Sequence, residues 1–124
     1  PACRMMGPVD VAPGKTVETY IRDAFQAELF QAGVLDASQG AVVMGRLDAL
    51  DLNSFGTGSW SLTMTLSSNL DQAGYQVSNT YPFSSSFSAV SACNNAAAAF
   101  GPAVNDLIAK AIQDPGFKRI TGAR

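Results

Sequence analysis

The chain of 124 residues contains no histidine. That removes the usual general base and the commonest metal ligand, and it excludes Ser-His-Asp and Cys-His machinery. Charge is scarce too. Only 15% of residues are Asp, Glu, Lys or Arg, and the formal net charge is −2. There is no basic run, and nucleic-acid binding needs clustered Lys and Arg to displace counterions, so nucleic acid is not an expected partner. No stretch of about 18 consecutive apolar residues occurs, so no segment reads as a membrane-spanning helix. Cysteine appears twice, as Cys3 and Cys93. Their separation rules out short-spaced zinc patterns. These absences lead us to expect no enzyme, no catalytic residues, no metal and no cofactor.

Hydrophobic residues make up 47% of the chain. Ser, Thr, Asn and Gln take the place of charge, which implies a neutral, hydroxyl-rich surface. The length fits a single domain over residues 1–124 with one core. The opening Pro1-Ala2-Cys3-Arg4 is no initiator sequence. It reads as a mature or trimmed product whose export signal, if any, has been removed.

The two cysteines have three readings. They are unrelated buried thiols, or a disulfide tying the N-terminus to the last helix, or Cys3 is a lipid-carrying N-terminal cysteine preceded by the small Ala2. We expect the disulfide between Cys3 and Cys93. Both it and the lipid reading place the protein outside the cytoplasm.

The clearest structural signal is strict alternation in Trp60, Leu62, Met64 and Leu66 against Ser59, Ser61, Thr63, Thr65 and Ser67. Side chains on a strand point alternately to two faces, so one face of this segment is buried and the other meets water. Residues 4–11 read as a short first strand, interrupted by Gly7 and Pro8. Thr16 then caps a helix over 17–32, with Val17, Tyr20, Ile21, Ala24 and Leu29 on its apolar side and Gly33 as its stop. Residues 41–52 form a second strand. Its consecutive Val42, Val43 and Met44 suit a position partly covered on both faces, and Gly45 suggests close approach or a bulge. The alternating strand spans 59–68. A fourth strand carries Tyr75, Val77, Tyr81 and Phe83 on one face, with Asn79 an exception there. A long helix covers 89–113, and Gly101-Pro102 should kink or split it. Asp114-Pro115-Gly116 ends it. The order β-α-β-β-β-α predicts an α+β two-layer sandwich, with two helices packed on one face of a four-stranded mixed sheet.

Candidate sites are few. Asp48 and Asp51 are near in sequence, but their odd spacing sends them to opposite faces of a regular strand, so a shared site needs a bulge. Gly56-Thr57-Gly58 lacks the Lys and helix of a phosphate loop and reads as a hairpin connection. Phe55, Tyr75 and Tyr81 are candidates for an exposed partner surface, although aromatics at alternating spacing more often fill a sheet core.

A wider pattern runs along the chain. Tyr20-Ile21-Arg22-Asp23-Ala24-Phe25-Gln26-Ala27-Glu28-Leu29 precedes Ala32-Gly33-Val34. Gly45-Arg46-Leu47, Gly58-Ser59-Trp60 and Ser91-Ala92-Cys93 follow, and Pro102-Ala103-Val104, Leu107-Ile108 and Asp114-Pro115-Gly116-Phe117 close it. Together these residues resemble small uncharacterised envelope lipoproteins of Gram-negative bacteria. The element order is also similar to the lipopolysaccharide-assembly lipoprotein and to auxiliary lipoproteins of lipid transporters. The resemblance implies a non-enzymatic protein of the periplasm, with or without an anchor to the outer membrane. Such a protein would act as a binding or assembly module for an envelope protein or glycolipid. The alternative is a binder of a lipid or other apolar ligand in a pocket between helices and sheet, with Met5, Met6, Met44 and Met64 as adaptable walls. An enclosed volume of about 300 Å3 or more would favour the alternative.

Overall fold

The computed structural model describes residues 3, 14–31, 40–55, 57–84 and 88–122, with side chains left out for 30 and 31. Its elements in chain order are α1 (Val17–Gln31), β1 (Val43–Asn53), β2 (Gly58–Ser68), β3 (Tyr75–Phe83), α2 (Ala89–Gln113) and α3 (Pro115–Thr121).

The sheet has the order β1-β2-β3, and both pairings are antiparallel. The expected four-stranded mixed sheet with two helices is therefore wrong, although the fold is α+β. Two things account for the difference. Residues 4–11, read as a first strand, lie outside the described residues, and with them goes the parallel pairing. The tail also forms a third helix. Asp114-Pro115 was read as a stop, but the same dipeptide starts a helix. Asp114 Oδ1 accepts from the Gly116 N–H at 2.8 Å, and Pro115 occupies the first helical position, where no N–H is needed.

The central strand follows its alternation along its whole length. Gly58, Trp60, Leu62, Met64, Leu66 and Ser68 are buried, and the hydroxyl residues between them are half-exposed. The helices cover this buried face. Ile21, Phe25 and Leu29 from α1 join Phe100, Val104 and Leu107 from α2 in one core, and Phe117 and Ile120 of α3 fold back into it. Trp60 anchors the sheet to α2. Its indole Nε1 donates to the Ala96 carbonyl at 2.7 Å, and its ring meets Phe100 edge-on at 5.0 Å. Buried Ala92, Ala96, Ala99 and Ala103 keep the packed side of α2 narrow.

The helix α2 runs unbroken through Pro102. Proline removes one N–H, which would have bonded the Ala98 carbonyl. Ala98 and Pro102 both lie on the exposed side, so water can satisfy that carbonyl and the helix does not split.

A disulfide joins Cys3 to Cys93, closing a span of 90 residues. Cys93 lies in the second turn of α2, close behind the Ser88 cap, and is half-buried, while Cys3 is buried.

Candidate functional site

Where α1 sits is decided by its first half. The Thr16 hydroxyl accepts from the Thr19 N–H at 3.1 Å and starts the helix. One turn on, the Tyr20 ring packs against Phe100 of α2 at 5.5 Å. The backbone of α1 thus approaches α2, but not β1 to a comparable degree. The β1 side of the sheet is left open beneath it.

The result is a half-open cleft of about 870 Å3 between α1 and the β1 edge. Ile21, Phe25 and Leu29 form its roof, and Met64 and Leu66 of β2 form its floor. All five are buried. The wall is the approach to β1 and its start, from Ala41 to Gly45 with Leu47. Gly45 faces the floor. A Cβ there would stand 3.2 Å from Met64 Cε and 3.4 Å from Leu66 Cδ2. Gly45 is thus a close approach, as one of its two sequence readings had it, and the bulge lies elsewhere.

The lip of the cleft is apolar and wet. Val42 is 64% exposed and Met44 55%. Of this run, expected to be partly covered on both faces, Val43 is half-buried, and the exposure of Val42 and Met44 is the main feature of the site. Asn69, in the β2–β3 turn, fixes the lip. Its Oδ1 accepts from the Val42 N–H at 2.7 Å, and its Nδ2 donates to the Gly40 carbonyl at 2.8 Å. Among the described lining residues, Glu18 and Arg22 of α1 are the only ionisable ones.

The opposite face of the sheet is polar. Ser61 and Thr80 share a hydrogen bond at 3.2 Å, and Thr63 and Ser78 share one at 3.0 Å. A bulge between Leu47 and Ala49 leaves Asp48 as the extra residue of β1. Its carboxylate collects hydrogen bonds from the Thr65 hydroxyl, from Arg46 Nε at 2.6 Å and from Gln76 Nε2 at 3.2 Å. Those donors, Thr65 first, hold its pKa down to about 2.

The bulge also settles the pairing of Asp48 with Asp51. It turns both to the polar face, which a regular strand would not do. Asp48 bonds at the level of Thr65 and Asp51 pairs opposite Ser61. Four residues of β2 separate those levels, about 13 Å, so the two carboxylates do not converge. No group of three or more metal-ligating side chains gathers among the described residues.

The aromatic candidates are dispersed. Phe55 is 64% exposed in the β1–β2 loop. Tyr75 and Tyr81 are half-buried against the core at opposite ends of β3, about 20 Å apart along the strand. The Tyr75 hydroxyl donates to the Ala111 carbonyl at 2.6 Å. Burial, with the Asp114 carboxylate nearby, pushes its pKa up. Met64 and Met44 line the cleft, while Met5 and Met6 lie outside the described residues.

The cleft escaped the sequence reading, because it depends on how far α1 stands from β1. The available signal was the run from Val42 to Met44, more apolar than one buried face requires. No helix among the described residues is long and apolar enough to cross a membrane. No family model, no curated protein and no solved structure matches the chain.

Proposed function

We propose that this protein is a non-catalytic binder of a lipid or other apolar small molecule, held in the cleft between α1 and β1. The observation that carries the reading is a cleft of about 870 Å3 with an apolar roof and floor. That volume lies within the range of roughly 300–1,000 Å3 typical of small-molecule sites. The exposed Val42 and Met44 at its lip would lose contact with water when a ligand covers them. Removal of apolar surface from water is the main driving force for such binding. The lack of histidine in the chain fits a carrier or sensor better than a hydrolase.

A periplasmic setting goes with this reading. The Cys3–Cys93 disulfide suits an oxidising compartment, and the resemblance to envelope lipoproteins points the same way. Phe55 favours a second reading. It is a large apolar side chain, 64% exposed and outside the cleft lining, and it would serve an envelope binding or assembly module as its contact with a protein or glycolipid partner.

Titration with a fluorescent apolar probe, such as N-phenylnaphthylamine, separates the two. Saturable binding weakened about tenfold by Met44→Asp, but untouched by Phe55→Asp, is the expected result. Both positions are exposed, so neither change should unfold the protein. Probe binding that is absent, or indifferent to Met44→Asp, would leave the cleft reading without support.

A further inference from the structure

The only ionisable side chains among the described residues of the cleft lining are Glu18 and Arg22. They stand four positions apart on α1, one helical turn, so their β-carbons are about 5–6 Å apart on one side of the helix. Both are exposed. Neighbouring charges do find partners, as Lys15 does with Asp23 at 2.8 Å. Glu18 and Arg22 make no such direct pair, although Arg22 helps to hold the Asp23 pKa down. Neither forms an ion pair with the other or with any other described residue. The mouth of an apolar cleft thus carries one negative and one positive group side by side, neither in a direct ion pair, with Arg22 acting on the adjacent Asp23 only at longer range.

The dimensions add a second constraint. The lining follows α1 from Glu18 to Leu29 and the chain from Ala41 into β1 as far as Leu47. These are about 17 Å of helix and about 20 Å of extended chain, of which about 13 Å is strand. A site of that length, walled by Ile21, Phe25 and Leu66, fits an extended hydrocarbon chain better than a compact ring system. The two charges sit on the first half of α1, so a chain lying along the helix toward Leu29 would leave its polar end at Glu18 and Arg22.

We propose that the cleft takes a single-chain zwitterionic amphiphile of the lysophospholipid type. Its phosphate meets Arg22, its ammonium meets Glu18 and its chain covers Ile21, Phe25 and Leu66. This inference rests on the cleft being a ligand site. Two carbons join phosphate and ammonium in such a headgroup, so both charges reach partners one helical turn apart. An anionic head would gain at Arg22 and lose at Glu18, and a cationic head the reverse. Only the zwitterion gains at both.

Four amphiphiles with the same dodecyl chain test this by calorimetric titration below their micelle concentrations at about 0.15 M salt. They are dodecylphosphocholine, dodecyl sulfate, dodecyltrimethylammonium and dodecyl maltoside. Dodecylphosphocholine should bind most tightly, by about three- to fivefold, the range that exposed charge pairs supply. Glu18→Gln should shift the preference to the sulfate, and Arg22→Gln to the trimethylammonium. All four binding equally, with neither variant changing the order, would overturn the headgroup assignment while leaving the cleft as an apolar site. If none of the four binds, the cleft reading itself fails, and this inference with it.

Discussion

Asn79 is the residue least at ease in this structure. It sits on the inner face of β3, opposite Leu62, and is 6% exposed. Its amide Nδ2 is buried with no hydrogen-bond partner among the described residues. A buried donor left unpaired costs about 1–3 kcal/mol, because its bonds to water are lost and nothing replaces them. Asn79→Leu, similar in volume, should therefore raise stability by about 1 kcal/mol or more in urea unfolding. A drop in the midpoint would mean that the amide has a partner. The polar face offers the opposite case. Asp48 is exposed yet held by Thr65, Arg46 and Gln76, with its pKa lowered from 3.8 to about 2. A carboxylate whose folded pKa is depressed adds stability above its unfolded pKa and loses it as pH falls through the folded value. Its contribution should be complete above about pH 4 and fade toward pH 2. Carboxyl NMR titration should show Thr65→Val moving the Asp48 midpoint up, since Thr65 is its strongest donor. An unmoved midpoint would put the cause elsewhere.

At the scale of elements, local signals were readable wherever one physical rule acted alone. The alternation from Trp60 to Leu66 became β2 with every inward position buried. Thr16 capped α1, and the apolar spacing of the last helix found Phe100, Val104, Leu107 and Ala111 of the buried side of α2 but also took in Val90, which is exposed. Reading failed where one residue type serves two ends. Asp114-Pro115 closes α2 and opens α3 at once, because the Asp114 N–H bonds back to the Lys110 carbonyl while its side chain caps forward. The cleft failed for another reason. No local period encodes the distance between α1 and β1, which Tyr20 sets through its contact with Phe100. Pro102 lies between these cases. The sequence marked it as a break, and the structure keeps the helix whole with Ala98 and Pro102 on its exposed side, where water can satisfy the carbonyl that proline leaves without its N–H. An interior proline is still costly, so Pro102→Ala should stabilise the protein. Restoring the Ala98 bond is offset in part by a freer unfolded chain, leaving a gain of about 1–2 kcal/mol. Thermal unfolding followed by circular dichroism would show it as a higher Tm. An unchanged or lower Tm would indicate that the ring itself contributes packing.

For the whole molecule, the disulfide is the tie that spans the most chain. It links residue 3 to α2, whose own packing does not depend on it. The Ala96, Phe100, Val104 and Leu107 side of that helix is held by the sheet and by the Trp60 bond to the Ala96 carbonyl. Breaking the bridge should therefore weaken the fold without dissolving it. Cross-linking acts mainly by restricting the unfolded chain, and closing a loop of 90 residues contributes about 2–4 kcal/mol. The Cys3→Ser, Cys93→Ser double variant should lose about that much in urea unfolding, with the strand and helix signals of its native baseline unchanged. Collapse of those signals would mean that the N-terminal tie is needed to build the core. The same pair discriminates between two fates of Cys3, since a sulfur engaged in a disulfide carries no thioether. Protein exported to a periplasm should resist thiol labelling until reduced and then take up two labels. An intact mass raised by a diacylglycerol on Cys3 would instead leave Cys93 as a single free thiol and make the N-terminus a membrane anchor.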